Sequence, residues 1–265
     1  MESQTLKSKW ALILGASSGF GAAAAKEFAA AGINIIGVHL DRRSTLPLVE
    51  ALKQEIEKTG QKALFFNVNA SDEIKRKEVL DSIAPALNGE PIHILLHSLA
   101  FGTLKPFIHP DPSQQMTKAQ IEMTLDVMAH SLVYWTQDLV ARNLLRKGSR
   151  VYAMTSSGGE RVFPTYGAIS AAKATLESHC RQLTLELGEH GIRFNAIRAG
   201  VTDTPALRKI PNAEKIMEFA KYKNPSKRLT TPEDVAKSLV ALSLPGTEWI
   251  TGNVIGIDGG ENIVD

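Results

Sequence analysis

Two side chains able to move a proton stand in the stretch TYGAISAAKATLESHCRQLTLELG: Tyr166, and Lys173 seven residues on. In a helix, seven residues at ~100° each make nearly two turns, so both side chains leave one face with Cα atoms ~10 Å apart along the axis. Helical side chains lean toward the N-terminus, which brings Lys173 back toward Tyr166. A cation beside a phenol favours the phenolate and lowers the phenol pKa, giving an acid usable near neutral pH. The spacing also fits an ordinary pair on a solvated helix, so the meaning of the pair depends on what surrounds it.

Earlier in the chain, LGASSGFGAAAA offers a phosphate cradle. Gly15, Gly19 and Gly21, with Ser17, Ser18 and Phe20 between them, follow an apolar run and open a helical pattern. Glycines there let the backbone bend tightly and approach a pyrophosphate, while the helix N-terminus supplies N–H donors and positive dipole. The spacing is G-x-x-x-G-x-G, which differs from the G-x-G-x-x-G dinucleotide fingerprint. Selectivity for the ribose would be set in HLDRR, His39–Arg43. Asp41 suits a free 2′-hydroxyl and hence NAD, whereas Arg42 and Arg43 beside His39 suit the 2′-phosphate of NADP. The reading favours NADPH, with NADH as the alternative. Asn67 and Val68 would lie near the adenine. Ser98, Leu99 and Ala100, in HSLAFG, should line the crevice beyond the strand ends. His97 is read as a structural histidine. Gly158 and Gly159 after the serines make no G-x-S-x-G elbow, and Cys180 and the histidines show no metal-ligand spacing, so no metal is expected.

These residues need a scaffold that aims strand ends at one crevice, and the hydropathy pattern supplies it. Strand-length apolar runs at Trp10–Leu14, Ile33–Leu40, Ala63–Val68, Ile92–His97, Arg150–Thr155, Arg193–Ile197 and Asn253–Ile257 alternate with helical patterns. Those helices are Gly19–Ala31, Thr45–Thr59, Ser71–Leu87, Thr117–Arg146 in one piece or two, the Tyr166 helix stopped by Gly191, and Thr231–Leu242 with Thr231 as N-cap. Val/Ile/Leu-rich strands alternating with helices predict an α/β chain with a parallel sheet covered on both faces.

With 265 residues, 43% hydrophobic and 22% charged, the chain has the composition of one large globular domain. A net charge of +2 gives no argument for nucleic acid or membrane. One cysteine excludes an internal disulfide and fits a reducing cytoplasm. Glu2 and Lys7 interrupt any leader, and no run of 18 apolar residues reads as a membrane span.

Together the Gly15/Gly19/Gly21 turn, Tyr166 with Lys173, Asn195 in FNAIRAG and the terminal Ile257-Asp258-Gly259-Gly260 resemble the short-chain dehydrogenase/reductase superfamily. Most members hold the tyrosine and lysine four apart. Here residue 170 is Ser, and the wider spacing resembles bacterial enoyl-acyl-carrier-protein reductases, as do HSLAFG and Ile197-Arg198-Ala199-Gly200. GVTDTPALRKIP and NPSKRLTTPEDVA resemble the short, type III members. The region of Asp126, Met128 and His130 lacks the usual tetrad asparagine, as those reductases do. One departure stands out: Ser156 occupies the place of the second tyrosine of type I enzymes, ten residues before Tyr166.

The resemblance implies a doubly wound Rossmann fold of about seven parallel strands with helices on both faces, spanning residues 1–265 as one domain with a substrate lid at about 201–230. It implies reduction of an enoyl thioester on acyl carrier protein. Tyr166 and Ser156 or Ser157 would contact the substrate oxygen, Lys173 the nicotinamide ribose, and Gly200, Val201, Thr202 and Thr204 the nicotinamide carboxamide. Phe101, Phe163, Leu207, Ile210 and Met217 are the expected substrate contacts. From Val201 to Thr230 seven basic residues face three acidic ones, a rim suited to an acidic carrier protein. A homotetramer packed partly through Leu125–Arg146 and Tyr166–Gly188 is expected. A ketone or 3-oxoacyl reductase is the alternative enzyme, and a scaffold without activity the alternative class.

Overall fold

The computed structural model describes residues 6–264. The leader reading, which turns on Met1 and Glu2, lies outside them. Seven strands are formed: β1 (Trp10–Leu14), β2 (Asn34–His39), β3 (Ala63–Asn67), β4 (Ile92–His97), β5 (Arg150–Thr155), β6 (Arg193–Ala199) and β7 (Val254–Ile257). They pair in the order β3-β2-β1-β4-β5-β6-β7, every pair parallel. Chain order reverses between β1 and β4, and that reversal opens the crevice where ligands of such sheets bind.

Alternate side chains of each strand go to opposite faces, and each face has its own core. Leu12, Leu95 and Val151 pack with Leu80, Leu132, Trp135 and Leu176. Ile13, Leu96 and Met154 pack with Ala24, Phe28, Leu52 and Val235 on the other side. The helices are α1 (Gly19–Ala30), α2 (Leu46–Glu57), α3 (Glu73–Leu87), α4 (Lys118–Leu125), α5 (Ser131–Ala141), α6 (Gly167–Leu187), α7 (Ala213–Lys223) and α8 (Pro232–Leu242). Thr231 caps α8 as expected, its hydroxyl accepting from the Asp234 N–H.

Three expectations are corrected. The helical stretch expected over Thr117–Arg146, in one piece or two, forms two helices joined by a π turn at Asp126–His130, and it ends at Ala141, short of Arg146. Gly188, ahead of Gly191, closes α6. The segment after Gly200 contains a helix, α7, that the alternation of strands and helices did not include. Among the described residues no helix is long and apolar enough to cross a membrane.

Candidate active site

The site begins where β1 meets β4. Gly15 and Gly19 both take φ values (+89° and +52°) that L side chains avoid. A Cβ on Gly15 would strike the Ser98 carbonyl, and one on Gly21 the Gly15 carbonyl, so this turn accepts only glycine. Ser18 precedes α1 as N-cap without a side-chain cap bond, so Ser18 does not cover the leading N–H groups. A bare helix N-terminus beneath a glycine cradle fits a pyrophosphate.

At the edge of this crevice the residues after β2 form a tight cluster. The Asp41 carboxylate accepts from the Thr45 hydroxyl at 2.7 Å and lies 2.9 Å from His39 Nδ1. Burial works against this carboxylate, but donors from Ser17, Thr45 and His39 outweigh it and hold its pKa below the ordinary aspartate value. The Asn67 side chain is spent on the Asp41 peptide, accepting from its N–H at 2.8 Å and donating to its carbonyl at 3.1 Å. Val68 donates to the His39 carbonyl. Arg42 and Arg43 are exposed, and neither side chain has a carboxylate partner among the described residues.

The crevice continues into a cavity of about 230 Å³ lined by Tyr166, Lys173 and Ser156 together. Tyr166 sits at the N-cap of α6, and Lys173 lies inside the helix on the same face. The Lys173 ammonium is buried and donates to the Met154 carbonyl at 2.6 Å. Burial pulls its pKa down to about 8, with Glu177 one turn on working in the opposite direction. Burial raises the Tyr166 pKa, and the Ser156 hydroxyl, not the lysine, lowers it. The expected acidification of the phenol by Lys173 is therefore corrected: in the ligand-free fold the amine is engaged by a backbone carbonyl and the phenol is desolvated.

A family model described as Enoyl-(Acyl carrier protein) reductase matches residues 15–262. The chain belongs to that family. It is thus an oxidoreductase of the short-chain dehydrogenase/reductase superfamily. An enoyl-[acyl-carrier-protein] reductase [NADH] of Buchnera aphidicola is 33% identical over 168 residues, 63% of this chain and 64% of that protein. The match therefore spans less than two thirds of this relative. An uncharacterized oxidoreductase of Bacillus subtilis is 28% identical over 98% of this chain and 86% of its own. The Bacillus cereus enoyl-acyl carrier protein reductase, solved with NADP+ and indole naphthyridinone, superposes over the full length of both chains with a TM-score of 0.87 at 26% identity.

Within this reductase fold, the expected site residues fall into two groups. Phe20, Ser98, Leu99, Ala100, Phe163, Gly200, Val201, Thr202, Thr204, Leu207 and Ile210 line the same cavity as Tyr166. Gly15, Ser17, Ser18, Gly19, Gly21 and the His39–Arg43 cluster extend the crevice away from it. Two expected substrate contacts lie outside this lining. Phe101 is 56% exposed, and its neighbours Gly102 and Leu104 line the cavity instead. On α7 the helical phase turns Ile216 inward, and Met217 is not among the lining residues.

Further residues shape the site through contacts that no motif in the sequence announces. The buried Glu177 carboxylate accepts from the Thr155 hydroxyl at 2.6 Å, tying the end of β5 to α6. A Cβ on Gly158 would lie 2.6 Å from the Tyr166 ring, and one on Gly159 would lie 2.8 Å from Glu177. The π turn places Met128 on the cavity wall and Ser131 2.8 Å from His97 Nε2. His97 is fully buried with its pKa pushed down to about 3 by burial, then by Lys173, which fits its reading as a structural residue. Thr165, beside the tyrosine, holds φ +61°, a strained value for a β-branched residue. Among the described residues no cluster of acidic, histidine or cysteine side chains could hold a metal.

Proposed function

We propose that this reductase saturates the 2,3-double bond of enoyl thioesters carried on acyl carrier protein, using NADPH. The observation that carries the reading is one cavity that joins Tyr166, Lys173 and Ser156 to an apolar wall of Phe163, Leu207, Ile210 and Ile216, at the end of a glycine-lined dinucleotide crevice. Ser98–Ala100 and Gly200–Thr204 would hold the nicotinamide of bound NADPH, which would supply the hydride that substrate C3 accepts. Tyr166 donates a hydrogen bond to the thioester oxygen as enolate charge develops there, and C2 then takes a proton from water, which completes the addition of hydride and proton across the double bond. Ser156, adjacent to the phenol, adds a second donor or holds the phenol in place. Oriented donors of this kind are worth roughly 3–4 kcal/mol each at the transition state. Lys173, buried and turned toward the Met154 carbonyl of β5, would hold the ribose hydroxyls and add positive charge.

NADPH is preferred here because both Asp41 oxygens already accept hydrogen bonds while Arg42 and Arg43 are free to grip a 2′-phosphate. The segment 201–230 serves as the lid of this single domain. Its Arg208 and Arg228 are engaged by Asp203 and Asp234, which leaves Lys209 at the cavity and Lys215, Lys221 and Lys223 on α7 to meet an acidic carrier. Exposed Leu185 on α6 and half-buried Val133 and Val140 on α5 support contacts between copies, for which we propose a homotetramer. The compartment proposed is the reducing cytoplasm, in keeping with a lone buried cysteine.

One observation favours a second reading. Tyr166 and Ser156 side by side present two hydroxyl donors to one oxygen, which suits a ketone or 3-oxoacyl thioester equally well. Under either reading Tyr166→Phe, which keeps the ring, should fold normally and lose ~10²-fold or more in turnover. Wild-type kcat in that variant on the protein's best substrate would overturn the role of Tyr166.

A further inference from the structure

Past β7 the chain turns back across the rim of the cavity. The Asp258 side chain accepts from the N–H groups of Gly260 at 3.0 Å and Asn262 at 3.1 Å, which shapes the turn. The Asp258 carbonyl accepts from the buried Asn224 side chain at 2.8 Å, just past the end of α7. The Asn262 carbonyl accepts from Arg161 at 3.0 Å, in the loop that links Ser156 to Tyr166. Between these two anchors, Glu261 places Oε2 3.0 Å from the backbone nitrogen of Val201. One short turn thus grips the start of the 201–230 segment, the end of its helix, and the loop before α6.

The Glu261 contact differs in kind from the others. Burial raises its pKa. The Val201 N–H works against that, Asp258 adds to it, and Lys223 and Arg161 oppose it. A carboxylate withdrawn from water is costly, and a backbone N–H is one of the few groups that offsets the cost at a single point. Its approach depends on Gly200: a Cβ there would lie 3.0 Å from Glu261 Oε2 and 3.1 Å from Asp258 Cα, and would overlap the Thr230 hydroxyl. On the other side the Thr202 hydroxyl donates back to the Gly200 carbonyl at 3.0 Å. The course of Gly200–Thr202, which lines the cavity, is therefore fixed by Glu261 from outside and by Thr202 from within.

We propose that Glu261 is a positioning residue. By holding the Val201 N–H, its carboxylate sets the conformation of Gly200–Thr204 that receives the nicotinamide end of the cofactor, and so tunes cofactor affinity without touching the reacting atoms. This rests on the reading that Gly200–Thr204 contact a nicotinamide.

The test uses the full chain, with Glu261→Ala and Glu261→Gln, NADPH and NADH titrated by fluorescence, and amide hydrogen exchange followed over peptides from Ala199 to Ile210. Loss of one hydrogen bond to a charged group should weaken cofactor binding about tenfold in Glu261→Ala, with kcat at saturating cofactor changed by less than about threefold. Glu261→Gln keeps an acceptor oxygen and should fall within about threefold of wild type in both measures. Exchange over the loop should quicken in Glu261→Ala and not in Glu261→Gln. Unchanged affinity and unchanged exchange in Glu261→Ala would overturn the proposal. So would equal losses in both variants, since a purely packing role would not be rescued by glutamine. If Glu261→Ala fails to fold, wild-type exchange decides: the Val201 amide should be protected without cofactor, and free exchange would overturn the proposal. Failure of the wild type to bind either dinucleotide would refute the nicotinamide reading instead, and the exchange comparison would still judge the clasp.

Discussion

Replacing Gly158 by alanine should disable the enzyme through a residue that contributes no side chain. The added Cβ would lie 2.6 Å from Tyr166 Cε1 and 3.1 Å from both Tyr166 Cδ1 and Ser156 Oγ. Carbon atoms rest about 3.5–4.0 Å apart, so the ring or the turn must retreat by about 1 Å. The ring is not free to give way alone. Phe163 meets it edge-on at 84° with centroids 6.0 Å apart, and its backbone is fixed at the start of α6. The phenol oxygen therefore moves with the ring. Misplacement by ~1 Å costs on the order of 10²-fold in rate, and overpacking costs a further ~1–3 kcal/mol of stability. For a chain of this size that is a Tm lower by roughly 2–12 °C. The assay is steady-state oxidation of NADPH on a crotonyl thioester, with cofactor affinity and melting measured alongside. NADPH affinity should stay within about threefold, because the change lies away from the glycine turn. A folded Gly158→Ala protein with kcat within about threefold of wild type would refute the claim that Gly158 sets the position of the phenol.

Three further outcomes follow from the site. Lys173, with its pKa lowered to about 8 by burial, should impose a fall in kcat/KM as pH rises through about 8, and Glu177→Gln should move that fall to lower pH. The unfolded chain keeps the lysine proton up to its ordinary value of 10.5, so between these values it binds more protons than the folded chain, and this group makes stability rise with pH. Activity should therefore fall there without this lysine promoting unfolding, and a kcat/KM flat across that window would contradict the role given to the ammonium. Arg42→Ala with Arg43→Ala should raise KM for NADPH and leave KM for NADH nearly unchanged; equal losses, or a wild type preferring NADH, would refute the phosphate site. Lys209→Glu with Lys215→Glu should lower kcat/KM for the carrier-protein substrate, more at low salt than at high, and affect a small acyl-CoA far less; parallel losses on both substrates would remove the docking role.

The strands are readable because apolar residues, many of them Val, Ile and Leu, dominate each of them, and β1, β4 and β5 match their expected limits. The Tyr166–Lys173 pair was readable because helical periodicity alone puts both on one face. What escaped depends on contacts between distant parts of the chain. Nothing in DVMAH distinguishes a π turn from an α-helix; the turn widens where Met128 meets the cavity and Ser131 meets His97. Glu177 reads as one more polar residue on a helix until Thr155, 22 positions earlier, is seen to donate to it. Glu261 takes its meaning from Val201, 60 positions away. The phenol acidity was misjudged because helical geometry brings Lys173 toward Tyr166, whereas the Met154 carbonyl that binds the amine belongs to β5. Phe101 and Met217 are apolar residues in the expected stretches, but the loop and the phase of α7 put their neighbours Gly102, Leu104 and Ile216 on the wall.

The measurement that tests the proposed activity most directly compares NADPH turnover on a crotonyl thioester with turnover on an acetoacetyl thioester, using the purified full chain. Reduction of the double bond predicts rapid turnover of the crotonyl substrate and slow or absent turnover of the acetoacetyl one. The reverse preference would make this a carbonyl reductase with Tyr166 and Ser156 on a ketone oxygen. Turnover of neither, with NADPH or with NADH, would contradict both enzymatic readings.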